Sequence, residues 1–269
     1  MNVFFTGHRG FLGRELIPEL SKEVQIYTFE GNLMDVQEVK AFVKAKAIDR
    51  VIHAAARGGR RTKQDSPKIL AENFAISMNL RNLELPTLYF CSGAIYGRQN
   101  SIYEYSEYRT CETYPNDYYG QSKFLIRECA INDEHSLFMR FFNVFGRSEG
   151  FDRFVSFNVN QYNAGLPMRV FKNFYMDFFF VKDSIPVIIK WMFGELIPKE
   201  INMVYSKKYT LIQICELINT LDAHSVPIDL ISQELGKDYC GDGCTLENLN
   251  SPTIGLKAGL MNIYEHFKV

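Results

Sequence analysis

Ser92, Tyr119 and Lys123 follow one another in this 269-residue chain in the order and spacing needed to support proton and hydride transfer at a sugar-like carbinol. The stretch D-Y-Y-G-Q-S-K, Asp117 to Lys123, reads as a helix start. A four-residue step puts Tyr119 and Lys123 on one helix face, about 6 Å apart. A free tyrosine titrates near pKa ~10, too high for acid–base work at neutral pH, and a fixed cation beside it favours the phenolate. Tyr-x-x-x-Lys is common by chance and gains weight only from its surroundings.

The first thirteen residues supply them. Asn2 to Thr6 is a short, mostly apolar run, and T-G-H-R-G-F-L-G follows at once, opening a helix over Phe11 to Leu20. Gly7 permits a tight turn, Gly10 lets the backbone approach a pyrophosphate, and Gly13 lets helix and strand pack closely, with the helix N-terminus facing the anion. A glycine triplet alone is weak evidence; directly after a strand it points to a dinucleotide.

With 46% hydrophobic residues the chain can bury a sizeable core, as one large domain or a domain with a smaller annex. A net charge of -1 gives no reason to expect nucleic-acid or anionic-membrane partners. No apolar run approaches the length of a membrane span and no leader pattern precedes the first strand, so a soluble, cytoplasmic protein is expected. The six cysteines and five histidines are scattered. Only C-G-D-G-C at 240–244 looks like a pair, and it reads as a reduced loop; no metal is indicated.

Strand-like and helix-like segments alternate. Strands are expected at Val24 to Phe29, Arg50 to Ala54, Thr87 to Cys91 and Ser136 to Phe142, with helices at Val36 to Lys46, Lys68 to Leu83 and Asp117 to Ile131. The pattern predicts an α/β fold, a Rossmann-like doubly wound parallel sheet with ligands outside the carboxyl ends of its strands, and Ser92 falls at such an end. After Gly146 the pattern loosens. Phe154 to Ala164, Ser184 to Phe193, Thr210 to Leu221 and Gly255 to Phe267 look helical, and Met168 to Phe171 and Phe178 to Val181 look like strands. We expect residues 1–148 and 177–221 to bind the dinucleotide, and 149–176 with 222–269 to form a small interleaved substrate-binding region.

These blocks resemble the extended short-chain dehydrogenases/reductases that act on nucleotide sugars. The resemblance runs through T-G-H-R-G-F-L-G, N-L-M-D, V-I-H-A-A-A, E-N-F-A-I-S-M-N-L, Y-F-C-S-G-A-I-Y-G, Y-Y-G-Q-S-K, R-F-F-N-V-F-G and M-D-F-F-F-V-K-D. Within that superfamily the chain is similar to the GDP-fucose synthases, which share G-H-R-G and an A-A-A strand end followed by a G-G turn. The resemblance implies Tyr119 as general acid–base, Lys123 as the residue that lowers its pKa and binds the nicotinamide ribose, and Ser92 as the hydrogen-bond partner of the reacting sugar oxygen. It implies cofactor contacts from Gly7, Arg9, Gly10, Phe11, Leu12, Gly13, Asn32, Leu33, Ala54, Ala55 and Ala56, and substrate contacts from Gly93 and Asn143. A nucleotide-sugar substrate and a homodimer are expected on the same ground.

Departures from the pattern narrow the reaction. Where the related 4,6-dehydratases carry an Asp-Glu pair, this chain has Gly93 and Ala94. Where the fucose synthases place a cysteine and a histidine for epimerisation at carbons 3 and 5, it has Ala94 and Ser148. The usual arginine before the late D-F is Met176, and the cationic loop Arg57 to Lys63, with Arg60 and Arg61, is a candidate substitute for binding the diphosphate, or else a solvated charged loop. Glu30 sits where an acid would hold the ribose hydroxyls of NAD, while Arg9 could neutralise a 2′-phosphate; NADP is preferred, with NAD as the alternative. Reduction at carbon 4 of a 4-keto sugar nucleotide ranks ahead of 4-epimerisation. A catalytically silent dinucleotide-binding module is the remaining class, and the presence of Ser92, Tyr119 and Lys123 argues against it.

Overall fold

The computed structural model describes residues 1–59, 64–109, 112–134 and 136–268. Its centre is a six-stranded, wholly parallel sheet of β1 (Asn2–Thr6), β2 (Gln25–Tyr27), β3 (Arg50–His53), β4 (Thr87–Ser92), β6 (Ser136–Phe141) and β10 (Glu200–Met203), in the order β10-β6-β4-β3-β1-β2. Between β4 and β6 lies β5 (Ile102–Tyr105); between β6 and β10 lie β7 (Val144–Phe145), β8 (Met168–Val170) and β9 (Phe179–Phe180). The chain later adds β11 (Ile228–Leu230) and β12 (Tyr239–Gly241). The helices are α1 (Phe11–Leu20), α2 (Val36–Ala45), α3 (Pro67–Arg81), α4 (Tyr118–Ala130), α5 (Phe154–Asn163), α6 (Ile185–Met192), α7 (Leu211–Ile218), α8 (Cys244–Asn248) and α9 (Gly255–Phe267).

Both faces of the sheet are covered, which is why its strands are nearly continuous apolar runs. Alternate residues go to opposite faces. Val3, Phe5, Ile52, Leu88 and Phe90 pack with Leu16 and Leu20 of α1 and Val187 and Ile188 of α6. On the other face Phe4 and Val51 meet Val39 of α2 and Leu80 of α3, while Tyr89 and Phe138 meet Ile126 and Ala130 of α4. A separate cluster joins Val155 and Val159 of α5, Ile214 and Ile218 of α7, and Leu260 and Ile263 of α9. Among the described residues no helix is long and apolar enough to cross a membrane.

The chain leaves β1 toward β2 on one side and returns to β3 on the other, so the direction of winding reverses between β1 and β3, where such folds open a ligand crevice. Several expected boundaries shift. β2 pairs only over Gln25–Tyr27, rather than to Phe29, whose ring packs instead against Phe4 and Phe42. The sixth strand, β10, was not foreseen. Its Glu200 and Asn202 look unlike a core strand, but Glu200 is held by Arg127 (2.6 Å) and Arg140, and Asn202 accepts from Tyr96 Oη (3.0 Å). Arg140 itself is fully buried, a charge tolerated because its guanidinium reaches Glu200 and Tyr96 Oη (2.5 Å).

Candidate active site

The loops after β1 and β3 meet at the crevice. Gly7 has φ +80, and a Cβ there would stand 2.7 Å from Ala55 N and 2.9 Å from Ala54 C, so only glycine allows this contact. Gly10 caps α1 without any side-chain hydrogen bond, and the first helical turn carries no acid. Its leading N–H groups are therefore open to an anion, and the cradle fits a dinucleotide pyrophosphate. Gly13 presses the start of α1 onto the segment leaving β1: a Cβ there would meet His8 Cα at 2.5 Å. Phe11 and Leu12 pack on the sheet core. Beyond β2, Asn32 accepts from Met34 N (3.0 Å), and the Leu33 carbonyl accepts from Asn79 (3.0 Å). Ala56 is exposed beside half-buried Ala54 and Ala55. Arg9 pairs with Glu30, and His8 Nε2 lies 2.9 Å from the same carboxylate.

A buried polar chain fixes the β1 and β3 ends. Ala55 N donates to Thr6 Oγ1 (3.3 Å) and Ser77 Oγ donates to the Asn73 carbonyl (2.9 Å). With its hydrogen spent on Asn73, Ser77 Oγ accepts from His53 Nε2–H (2.9 Å), and in the neutral imidazole that burial favours Nδ1 accepts from Thr6 Oγ1 (2.8 Å). Burial, reinforced by the Lys123 charge, pulls the His53 pKa down to about 3 from 6.5. A depressed folded pKa means this contribution to stability is complete above pH ~6.5 and drains away as acid protonates the unfolded chain first. The stability advantage over His53→Gln should shrink by about 1.4 kcal/mol per pH unit below ~6.5. Denaturant melts of both proteins at pH 7, 6 and 5 test it; a constant difference would contradict the assignment.

Ser92, Tyr119 and Lys123 converge at the carboxyl end of β4. Asp117 caps α4 by accepting from Gly120 N (2.8 Å), and Gly120 has no room for a side chain because a Cβ would meet Ala94 O at 2.9 Å. The first turn of α4 is thus pressed onto the Ser92–Tyr96 turn, which brings the Tyr119 phenol close to Ser92. Ser92 Oγ also accepts from Ala94 N (3.2 Å). Lys123 is buried, donates to the Phe90 carbonyl (2.7 Å) and lies 5.8 Å from the Tyr119 ring centre. One of its N–H bonds goes to that β4 carbonyl, which holds the ammonium near the ring. Burial pushes the Tyr119 phenol well above its ordinary pKa, assisted by Cys91 and Tyr239 and opposed by Ser92 and Arg98. Burial lowers the pKa of Lys123.

The other expected residues are dispersed around this point. Gly93 is buried against the Phe142 ring, where a Cβ would come within 2.7 Å. Asn143 uses its amide to donate to the Asp177 carbonyl (3.0 Å), joining β7 to the segment before β9. Arg60 and Arg61 lie outside the described residues. Two features escaped sequence reading. Asp177 and Lys208 form a buried ion pair (3.1 Å), in which burial raises the carboxyl to about 6 against the pull of the lysine. Arg98 pairs with Asp117 (2.6 Å) and lies 5.9 Å from the Tyr119 ring centre. The only local signal for Arg98 was a cation directly after S-G-A-I-Y-G.

Residues 3–202 match the model of the NAD dependent epimerase/dehydratase family. The chain belongs to that family. Its fold is shared with a UDP-glucose 4-epimerase from Thermotoga maritima (TM-score 0.82, 17% identity, 99% of this chain and 98% of that one). It is also shared with a GDP-mannoheptose C4 reductase from Campylobacter jejuni, solved with NADP (0.82, 17%, 100% and 98%), and with a GDP-L-fucose synthetase from Naegleria fowleri (0.79, 16%, 99% and 92%). No curated protein sequence matches the chain.

Proposed function

We propose that this family member reduces a 4-keto sugar nucleotide at carbon 4 with NADPH, without 3,5-epimerisation. The observation that carries the reading is the convergence of Ser92, Tyr119 and Lys123 at the sheet edge that also holds the Gly7 crevice. A nicotinamide dinucleotide, when bound, supplies the hydride. Ser92 holds the sugar oxygen, and Tyr119 gives that oxygen its proton. A phenol kept protonated by burial is an acid, the form that reduction requires, whereas a step starting from an alcohol first needs the phenolate. Lys123 and the α1 N-terminus hold the ribose and pyrophosphate. Ala94 is fully buried and aprotic, and the Ser148 backbone is tied to Arg14 and Glu15 of α1, so neither position offers an acid or base to carbons 3 and 5.

NADP(H) follows from Arg9. An acid at Glu30 alone would repel a 2′-phosphate, but Arg9 already neutralises it through an exposed pair that a phosphate can replace at little cost. In this reading residues 1–148 and 177–221 carry the cofactor and 149–176 with 222–269 the sugar nucleotide, in a soluble cytoplasmic homodimer. Arg60 and Arg61 remain candidates for the diphosphate. Nucleotide-sugar 4-epimerisation uses the same groups and is the second reading, favoured by the shared fold of the Thermotoga enzyme. The test combines cofactor titration with a panel of keto-sugar nucleotides. NADPH should bind more tightly than NADH, lose that preference in Arg9→Ala, and be consumed with a 4-keto substrate. Tighter NADH binding, or interconversion of 4-epimers without net NADPH consumption, would replace the proposal.

A further inference from the structure

Around Tyr119 three separate segments meet on one guanidinium. Arg98, 18% exposed, donates from its Nη2 and Nε to the two oxygens of Asp117 (2.6 and 3.2 Å) and from Nη1 to the Gly59 carbonyl (3.3 Å). Asp117 is the cap of the α4 turn that carries Tyr119. Gly59 belongs to the loop after β3 and lies against the ring: a Cβ there would touch Tyr119 Cε1 at 2.9 Å, and its φ of +82 suits glycine. Its amide is held in turn by Asp65 (3.1 Å). The Tyr119 ring is thus enclosed by the turn that bears it, the Gly59 loop, and the cation that ties both together.

We propose that Arg98 is the positioning residue of the acid–base site, bracing Asp117 and the Gly59 loop so that the Tyr119 phenol stays aimed at Ser92. This rests on the acid–base reading of Tyr119 given above. Arginine suits the task because one planar fork satisfies a carboxylate with two bonds and leaves a further N–H for the Gly59 carbonyl; a lysine ammonium at the same place cannot span both. The charge also acts on the phenol. The groups facing it are Cys91 and Ser92 from β4, Tyr239 from β12, Lys123 from α4, and Arg98; of these Arg98 and Ser92 oppose the upward push of burial.

The test uses the intact chain with ring-13C tyrosine, the Tyr119 signal being assigned by its loss in Tyr119→Phe. In Arg98→Ala the Tyr119 signal should broaden as the ring is released, and its titration should move to higher pH. Asp117→Asn, which keeps a capping oxygen but loses the charged fork, should reproduce the broadening, and serves if Arg98→Ala does not fold. In turnover of a 4-keto-6-deoxy sugar nucleotide with NADPH, Arg98→Ala should lose about ten- to a hundredfold in kcat, the scale of a small misplacement, with the KM for NADPH little changed. Arg98→Lys should recover little of it, and added guanidinium should restore Arg98→Ala but not Tyr119→Phe. The Arg98 and Asp117 changes combined should cost no more than either alone. An Arg98→Ala protein with parental Tyr119 line shape and titration overturns the proposal whatever the substrate. Full turnover in Arg98→Ala beside an inactive Tyr119→Phe overturns the role of Arg98 alone, and full turnover in Tyr119→Phe overturns the acid–base reading with it.

Discussion

Tyr119→Phe is expected to lower kcat by about two to four decades while leaving thermal stability and NADPH affinity near those of the parent, the usual signature of losing a general acid. The substitution removes one oxygen and nothing else from a ring packed between the α4 turn and the Gly59 loop, so the fold has no reason to respond. It even relieves a group whose ionisation burial opposes. The sugar oxygen then loses its proton donor, while the Lys123 ammonium, hydrogen-bonded to the Phe90 carbonyl (2.7 Å), lies 5.8 Å from the ring centre. Steady-state turnover, a melting curve and a cofactor fluorescence titration on one preparation check the three parts together. Parental turnover on a verified substrate would remove Tyr119 from the chemistry.

Gly7→Ala is expected to damage both stability and cofactor binding. Its φ of +80 costs a non-glycine residue about 1–3 kcal/mol, and the added methyl would press on backbone atoms of Ala54 and Ala55 that cannot rotate away. For a chain of this size that corresponds to a melting temperature lower by roughly 5 °C or more, with NADPH affinity falling at least about tenfold as the crevice opens. Gly10→Ala is the contrast: its Cβ would meet only Gly7 O, at 3.2 Å, so the fold should hold while dinucleotide affinity falls. Equal stability losses in the two variants would mean that the crevice is not shaped as described.

Elements announced by local signals were legible in the sequence. The α1 helix runs over Phe11–Leu20 as read, because glycine spacing and an apolar stripe both lie within its own segment. The α4 start was readable from Asp117, and Ser92 lies at a strand end as expected. What could not be read depends on partners distant in the chain. β10 passed unnoticed since the polar Glu200 and Asn202 become core residues only beside Arg127, Arg140 and Tyr96. β5 and β12 are short strands that pair with each other across more than a hundred residues, beyond the reach of periodicity. Arg98 was an unremarkable cation until Asp117 and Gly59 arrived beside it. The position of Lys123 was half legible. Helical spacing put it on the face of Tyr119, but the Phe90 carbonyl decides that its ammonium rests near the ring.

The most direct test of hydride chemistry at carbon 4 is turnover of a 4-keto-6-deoxy sugar nucleotide with NADPH in deuterated water, followed by mass and NMR analysis of the sugar. Hydride transfer assisted by Ser92, Tyr119 and Lys123 predicts NADPH consumption and a carbon 4 alcohol with no deuterium at carbons 3 or 5. Enzyme-dependent deuterium at either carbon would contradict the account, because it requires an acid and a base that Ala94 and Ser148 do not provide.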